Sequence, residues 1–487
     1  MGESQSTLFQ PEFNRSIQVE ARAERVSADA GALWLRELME RSGLVRLLLE
    51  HLGDVREAGR TEHPFAELLL TWLLLDTQGW SDQLDVTELR DDPLFRLAVS
   101  TRRGQRPLRA AAGREPEGLC SQATLSRLLQ ALALPSNRAG LGEVLLAWAE
   151  GQLRHAGHKR AEETLDLDSV PVVVHGQQPG SEYNGHYHTR CYHPLLVRSA
   201  SGFYLGAMLR AGDVHTADGS LAFVLPIARR ATCWARQVWI RMDAGFPEPE
   251  LLRVLEAESF RYVARLRGNQ VLERLAAPHI HRALKRAVPR TERTTLVELR
   301  YQAGTWACSR RVVLVMIERP GELFLDHFFL LTNAPAAEID GEALLARYRE
   351  RGIAEKDLGE WKNALDVHLS STPRPKRHYR EQAIGTPQRA PDSFGANEAN
   401  LLLSLLSANL LHAAGALLTR ASHRRRSREW FREHVLKGPC RVALGSRQIT
   451  VIISASAAHF WTLLCTQLDR LYPVRGSPRH RALPEPA

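Results

Sequence analysis

The 487-residue sequence predicts an α/β fold, a mixed sheet with flanking helices, behind a mostly helical N-terminal region. Two observations carry this expectation. Residues 164–168, 193–198 and 203–209 read as three strands, the first in strict alternation of polar and apolar side chains. After them the pattern switches between helix (217–230 and 247–258) and strand (237–242 and 261–267). Three strands able to form a meander, followed by helix, strand, helix and strand, build a mixed sheet.

Taken in chain order, residues 1–118 read as a helical region, with helical patterns at 30–52 and 65–75. It ends in a linker, 101–118, that holds five arginines, two prolines and three glycines. That composition suits a linker or an arm that tracks a polyanion. Residues 119–160 read as connecting helices, because Ser121 has N-cap character ahead of Thr124, Leu125, Leu128, Leu129 and Leu132. Gln122, Thr124 and Arg127 suit a groove-facing helix or an ordinary packed one. The first part of the sheet occupies 161–268. Residues 269–335 are strand-rich at 295–301, 306–315 and 327–331 and read as an inserted β subdomain, after which 336–394 returns to the core with a charged helix. The C-terminal region, 395–487, opens on an apolar helix near 397–418. It continues through 420–432, where six arginines accompany Trp430 and Phe431. A strand pair at 441–453 and a helix at 456–472 close the fold. Pro373 to Arg380 is a further basic stretch, and the tail from Arg475 has the composition of a disordered segment.

The formal net charge of +9 is carried mostly by arginines spread along the chain. This favours nucleic acid over a membrane surface as the partner, and makes 1–118 and the Arg424, Arg425, Arg426 run candidate DNA-binding segments. Cys120, Cys191, Cys233, Cys308, Cys440 and Cys465 are far apart with no CxxC pair, which points to a reducing cytosol without a disulfide framework. The polar start lacks the apolar core of a signal peptide, so export is not expected. Gly2 and Ser6 fit a myristoylation pattern too short to weigh. Asn409, His412 and two serines interrupt the apolar run 401–418, which favours a buried helix over a membrane span. No Gly-rich phosphate loop is present, so nucleotide hydrolysis is not indicated.

The charged helix carries the most specific pattern. Tyr348, Arg351, Glu355 and Lys362 fall at about 0°, −60°, −20° and −40° on a continuous helix, whereas Glu350, Asp357 and Glu360 fall elsewhere. Glu355 is thus the acid presented beside an aromatic hydroxyl and two cations, a combination that suits a divalent metal and a phosphate. A solvated face with i,i+4 pairs is the plainer reading of this helix alone. Two further acids change the balance. Asp168 ends one strand and Asp243 ends another, in Met242-Asp243-Ala244-Gly245-Phe246, and two-metal phosphoryl chemistry needs carboxylates from separate elements to converge. Each Asp alone is equally a turn former. Asp166 competes with Asp168, since residues two apart on a strand share a face. His186, His188, Cys191 and His193 are zinc ligands by type, but no second closely spaced pair completes a familiar site.

At these residues the chain resembles the bacterial insertion-sequence transposases with an RNase H-like catalytic domain and a DDE triad. The resemblance rests on Leu165-Asp166-Leu167-Asp168-Ser169, His175-Gly176-Gln177-Gln178, Cys191-Tyr192-His193-Pro194-Leu195, Arg241 to Phe246, Thr332-Asn333, and the Tyr-x2-Arg-x3-Glu-x6-Lys spacing of Tyr348 to Lys362. It covers about 160–420, with weaker similarity at Leu89 to Pro93. It implies that Asp168, Asp243 and Glu355 are the catalytic metal ligands, the ligand Asp preceding Ser. It implies that Tyr348, Arg351 and Lys362 hold a phosphate at the transposon end, and that 269–335 is the family's β-strand insertion. The cofactor implied is Mg²⁺, with Mn²⁺ as a substitute. The implied partners are double-stranded DNA, as terminal repeats and target, and a second copy in a homodimer. The implied setting is the bacterial cytoplasm and nucleoid, with no membrane. The reaction implied is cut-and-paste transposition through a hairpin intermediate. Two rivals share the pattern: a catalytically silent relative that regulates by binding DNA, and a metal-dependent nuclease without strand transfer.

Overall fold

A computed structural model describes residues 7–20, 24–56, 61–109, 118–154, 159–286, 289–322, 324–365, 367–371 and 392–474. The basic stretch Pro373 to Arg380, most of 110–118 and the tail from Arg475 lie outside the described residues. The chain forms two compact units, each assembled from separated segments. One comprises 1–38, 62–125 and 417–487, the other 39–61 and 126–416.

In the first unit the helix Phe65–Thr77 is buried on all sides from Leu68 onward, as expected for a helix apolar around its circumference. The helix Pro93–Val99 starts where Asp92 accepts hydrogen bonds from the Leu94 and Phe95 amides, with proline in its first turn. A three-stranded sheet joins Val26–Ser27, Cys440–Leu444 and Ile449–Ile453. Beside it the buried Asp29 accepts from Trp80 Nε1 at 3.2 Å.

The second unit is built on one eight-stranded sheet. Its strands are β1 (Arg160–Ser169), β2 (Leu195–Ser199), β3 (Tyr204–Met208), β4 (Ala235–Met242), β5 (Arg261–Leu266), β6 (Arg293–Tyr301), β7 (Arg310–Glu318) and β8 (Asp326–Thr332). They lie in the order β6-β7-β8-β5-β4-β1-β2-β3. The meander β1-β2-β3 is antiparallel, while β4 and β5 run parallel to β1. The fold class expected from the sequence is therefore the one observed, a large mixed sheet flanked by helices. The stretch 269–335 differs from a subdomain standing apart. Its strands extend the central sheet, because β8 pairs antiparallel with β5 from Val263↔Thr332 to Leu266↔Phe329. It also opens on a helix, Gln270–Leu284, which Asn269 caps through the amides of Val271 and Leu272.

Helix α1 (Gly341–Arg349) packs Leu344 and Leu345 on Trp239, Val263, Val313 and Leu330 of the sheet. Arg347 holds it there with its guanidinium 4.1 Å from the Trp239 ring. Helix α2 (Arg351–Leu365) follows after a break at Glu350. The continuous helix assumed for Tyr348 to Lys362 is thus two: Tyr348 belongs to α1, and Arg351, Glu355 and Lys362 to α2. The apolar helix α3 (Ser393–Ser422) has 83% of its most apolar window buried. Its polar interruptions anchor it. Asn409 accepts from the Tyr204 amide at 2.7 Å and donates to the Tyr204 carbonyl at 2.8 Å, satisfying the backbone of edge strand β3, which an uncovered edge would leave open. All six cysteines are free thiols.

The helices Leu44–His51 and Pro135–Leu153 meet closely at Gly140, where an added Cβ would lie 2.2 Å from the His51 carbonyl oxygen. Gly to Ala inside a helix ordinarily stabilises by about 1 kcal/mol. Here Gly140→Ala is expected to destabilise by about 1–3 kcal/mol through overpacking. Chemical denaturation would check the sign, and a gain in stability would mean that the two helices separate freely.

Candidate active site

The register of the sheet sets two polar rows, one above the other. In the first, Asp166 pairs across strands with Arg198 on β2 and with Arg241 on β4. All three are buried, Arg241 to 1% exposure. Arg241 grips Asp166 with two bonds, Nε to Oδ1 at 2.5 Å and Nη2 to Oδ2 at 3.0 Å. Arg198 lies 3.6 Å from the same carboxylate and donates to Asp357 of α2. Asp166 is thereby engaged on both sides by arginines.

The second row is two residues further along. Met242 pairs with Leu167, so Asp243, the next residue, comes level with Asp168. Asp168 Oδ1 accepts from the Ser169 amide at 2.9 Å, and Asp243 Oδ1 from the Gly245 amide at 2.7 Å. Their other oxygens face one guanidinium. Arg351 Nη2 is 3.0 Å from Asp168 Oδ2 and 3.8 Å from Asp243 Oδ2, while Nη1 donates to Glu355 one turn along α2. The structure therefore brings Asp168, Asp243 and Glu355 round Arg351.

Burial pushes the Asp168 carboxyl up to about 6. Asp243 and Glu355 add to the rise, and Arg351 opposes it. This is the expected outcome for a desolvated carboxylate among like charges with one compensating cation. Tyr348 is raised by burial and packs at a tilt on Phe328, 6.3 Å between ring centres. Lys362 is lowered by burial, with Asp168 opposing, and its ammonium donates to the Pro171 carbonyl at 2.8 Å.

A cleft of about 670 Å³ opens beside Asp243. Tyr348 and Arg351 line it with Arg265, Arg267, His186 and His215. Of these last four, His186 stood out in the sequence only as a zinc ligand by type, while Arg265, Arg267 and His215 stand in no motif and were missed. Arg198 and Arg241 did leave a signal, a charge beside apolar residues near the end of a strand. His193 turns Nδ1 to the Val214 carbonyl at 3.3 Å, and Cys191 is buried. Among the described residues no three His, Cys, Asp or Glu are arranged round one point to hold a metal as they stand. The zinc reading thus gains no support. For the acidic triad, the donor set is all oxygen and fits a hard divalent cation. Its focal point is taken by the Arg351 guanidinium.

Arg424, Arg425 and Arg426 belong to the other compact unit, in the exposed turn before Arg428–Phe431. The Arg426 guanidinium lies 3.8 Å from the Trp430 ring centre, and Trp430 in turn stacks on His434 at 4.7 Å.

Because Arg351 is the cation opposing the burial of Asp168, Arg351→Met is expected to raise the Asp168 pKa further above about 6. Met keeps the bulk and removes the charge. Carboxyl carbon NMR across a pH titration would measure it, and an unchanged or lowered midpoint would contradict the electrostatic account.

No curated protein matches the chain. Among solved structures it is similar to a piggyBac transposase synaptic complex with hairpin DNA, at 12% identity and a TM-score of 0.36, covering 92% of this chain and 83% of that one. The family model described as Transposase DDE domain group 1 matches residues 9–474, nearly the whole length. The chain belongs to that family of DDE transposases.

Proposed function

We propose that this protein is an insertion-sequence DNA transposase that cuts the ends of its element and joins the freed 3′ hydroxyl to target DNA. The reaction is two-metal phosphoryl transfer, cut-and-paste with a hairpin intermediate. The observation that carries this reading is the convergence on Arg351 of three carboxylates, from two strand ends and a helix, beside a cleft rich in Arg and His. Asp168, Asp243 and Glu355 would hold the metal, Mg²⁺ by preference. Bound divalent ions supply a more acidic water and neutralise charge developing on the phosphate.

The chain's own groups do the rest. Arg351 and Tyr348 face the cleft and suit phosphate oxygens, the guanidinium through charge-assisted bonds and the phenol as a neutral donor. Lys362 joins them in the family pattern, and here its ammonium is engaged at Pro171. The nucleic acid is double-stranded DNA. Its backbone is met at long range by the basic segments, with Arg424, Arg425 and Arg426 as the candidates in the first unit. Two element ends joined in one event call for a two-fold dimer, each copy holding one end.

Asp168→Asn and Glu355→Gln are expected to abolish DNA cutting in Mg²⁺ while leaving DNA affinity intact, since one ligand is lost and the basic surface stays. Gel assays on the DNA flanking the gene would separate the readings. Binding without any cutting by the wild type would favour a silent regulator, and cutting without joined products would favour a nuclease. Equal loss of binding and cutting in the variants would mark the acids as structural.

Replacing Arg424, Arg425 and Arg426 together by Ala should weaken binding to all sequences. It should also flatten the log-log salt slope by up to about three, at about 0.9 per released contact. An unchanged slope would remove this segment from the DNA path.

A further inference from the structure

Arg241 has no role in the two-metal reading, yet it sits on one strand that carries an acid, touches the other, and reaches the break that leads into the helix carrying the third. It sits on β4, two residues before Asp243. Its Nε and Nη2 hold Asp166, two residues before Asp168 on β1. Its Nη1 donates to the Arg347 carbonyl at 2.5 Å and lies 3.2 Å from Glu350 Oε2, at the break between α1 and α2 and five residues before Glu355. The side chain is buried to 1% exposure, so these bonds act in a medium of low dielectric where they are strong.

The geometry of the link is specific to a guanidinium. A planar fork with donors on three nitrogens can serve two oxygens of one carboxylate and still reach a carbonyl and a second carboxylate. Arg198 supports the same arrangement from the other side, joining Asp166 to Asp357, two residues past Glu355. The start of α2 and its second turn are thus both tied to the polar row beneath the acids.

We propose, resting on the two-metal reading, that Arg241 is a positioning residue that fixes the Glu355 helix relative to the Asp168 and Asp243 strand ends. It reaches neither the substrate nor a metal. It acts by holding the two acid-bearing strands in register with the break that leads into the Glu355 helix. Displacing catalytic groups by about 1 Å from a distant mutation costs about a hundredfold in rate.

The experiment compares full-length wild type with Arg241→Lys, Arg241→Met and Glu350→Ala. Each is measured for thermal midpoint, affinity for an element-end duplex, Mn²⁺ affinity by the EPR signal of the free ion, and single-turnover cutting at saturating DNA. Lysine keeps a charge for Asp166 but cannot bridge strand, carbonyl and Glu350 together. Arg241→Lys is expected to bind DNA as wild type does, to bind Mn²⁺ more weakly and to cut about a hundredfold more slowly. A merely structural role would lower the midpoint without splitting DNA affinity from rate. The Glu350 side chain is 59% exposed, so Glu350→Ala should fold normally. It is expected to show the same split at a smaller amplitude.

Wild-type rate and Mn²⁺ affinity in Arg241→Lys, with the wild type active, would overturn the proposal and leave the two-metal reading standing. Should both Arg241 variants fail to fold, Glu350→Ala decides, and an unchanged rate and Mn²⁺ affinity there would overturn it. A wild type that neither binds Mn²⁺ nor cuts would remove the two-metal reading itself and this proposal with it.

Discussion

The row Arg198, Asp166, Arg241 crosses three adjacent strands at a level where the neighbouring side chains are apolar, and the geometry of the site depends on it. Taking such ions out of water costs several kcal/mol each after relaxation. The cost is offset only where each charge meets an opposite one with good geometry. Asp166 is bound by Arg241 and forms an ion pair with Arg198 at 3.6 Å, and the two arginines reach on to Asp357 of α2, to the carbonyl of Arg347 and to Glu350. The row therefore ties helix to sheet more directionally than an apolar contact would. Leu344 and Leu345 on the sheet supply burial, while the arginines specify which way the following helix runs.

One step along the same strands the balance reverses. There the acids outnumber the cations: Asp168, Asp243 and Glu355 face the single guanidinium of Arg351. Carboxylates thus stand in excess at the end of parallel strands β1 and β4, beside a cleft lined by Arg265 and Arg267. A balanced row inside and an unbalanced row at the mouth follow from one sheet register. The pairs Arg241↔Asp166 and Met242↔Leu167 fix both.

The other compact unit shows different physics. Its core is the apolar helix Phe65–Thr77, and its arginines at 424–426 stand at the surface, with Arg426 stacked on Trp430. Such stacking restrains a long side chain while leaving its charge exposed. The charge stands at the surface in this unit and is paired inside the sheet in the other.

The fold class was legible because period-two and period-3.6 patterns are local properties of the chain, and strands such as 164–168 and 237–242 carry them plainly. Asp168, Asp243 and Glu355 stood out as candidates for a related reason, each standing at the end of a periodic element or on a charged helix. The helix break at Glu350 was not legible, since α1 and α2 share one helical pattern and differ only in where the sheet holds them. Nor was the joining of β8 to β5, because backbone pairing between segments distant in sequence leaves no local trace. The helix Gln270–Leu284 lay hidden in a stretch read for its strands. By itself the sequence determined the fold class, most of the strands and helices, and which side chains carry charge. Tertiary structure alone decided which charges meet, that Asp166 is neutralised inside while Asp168 is held at the mouth, because pairing follows inter-strand register and burial, which are set by the whole sheet.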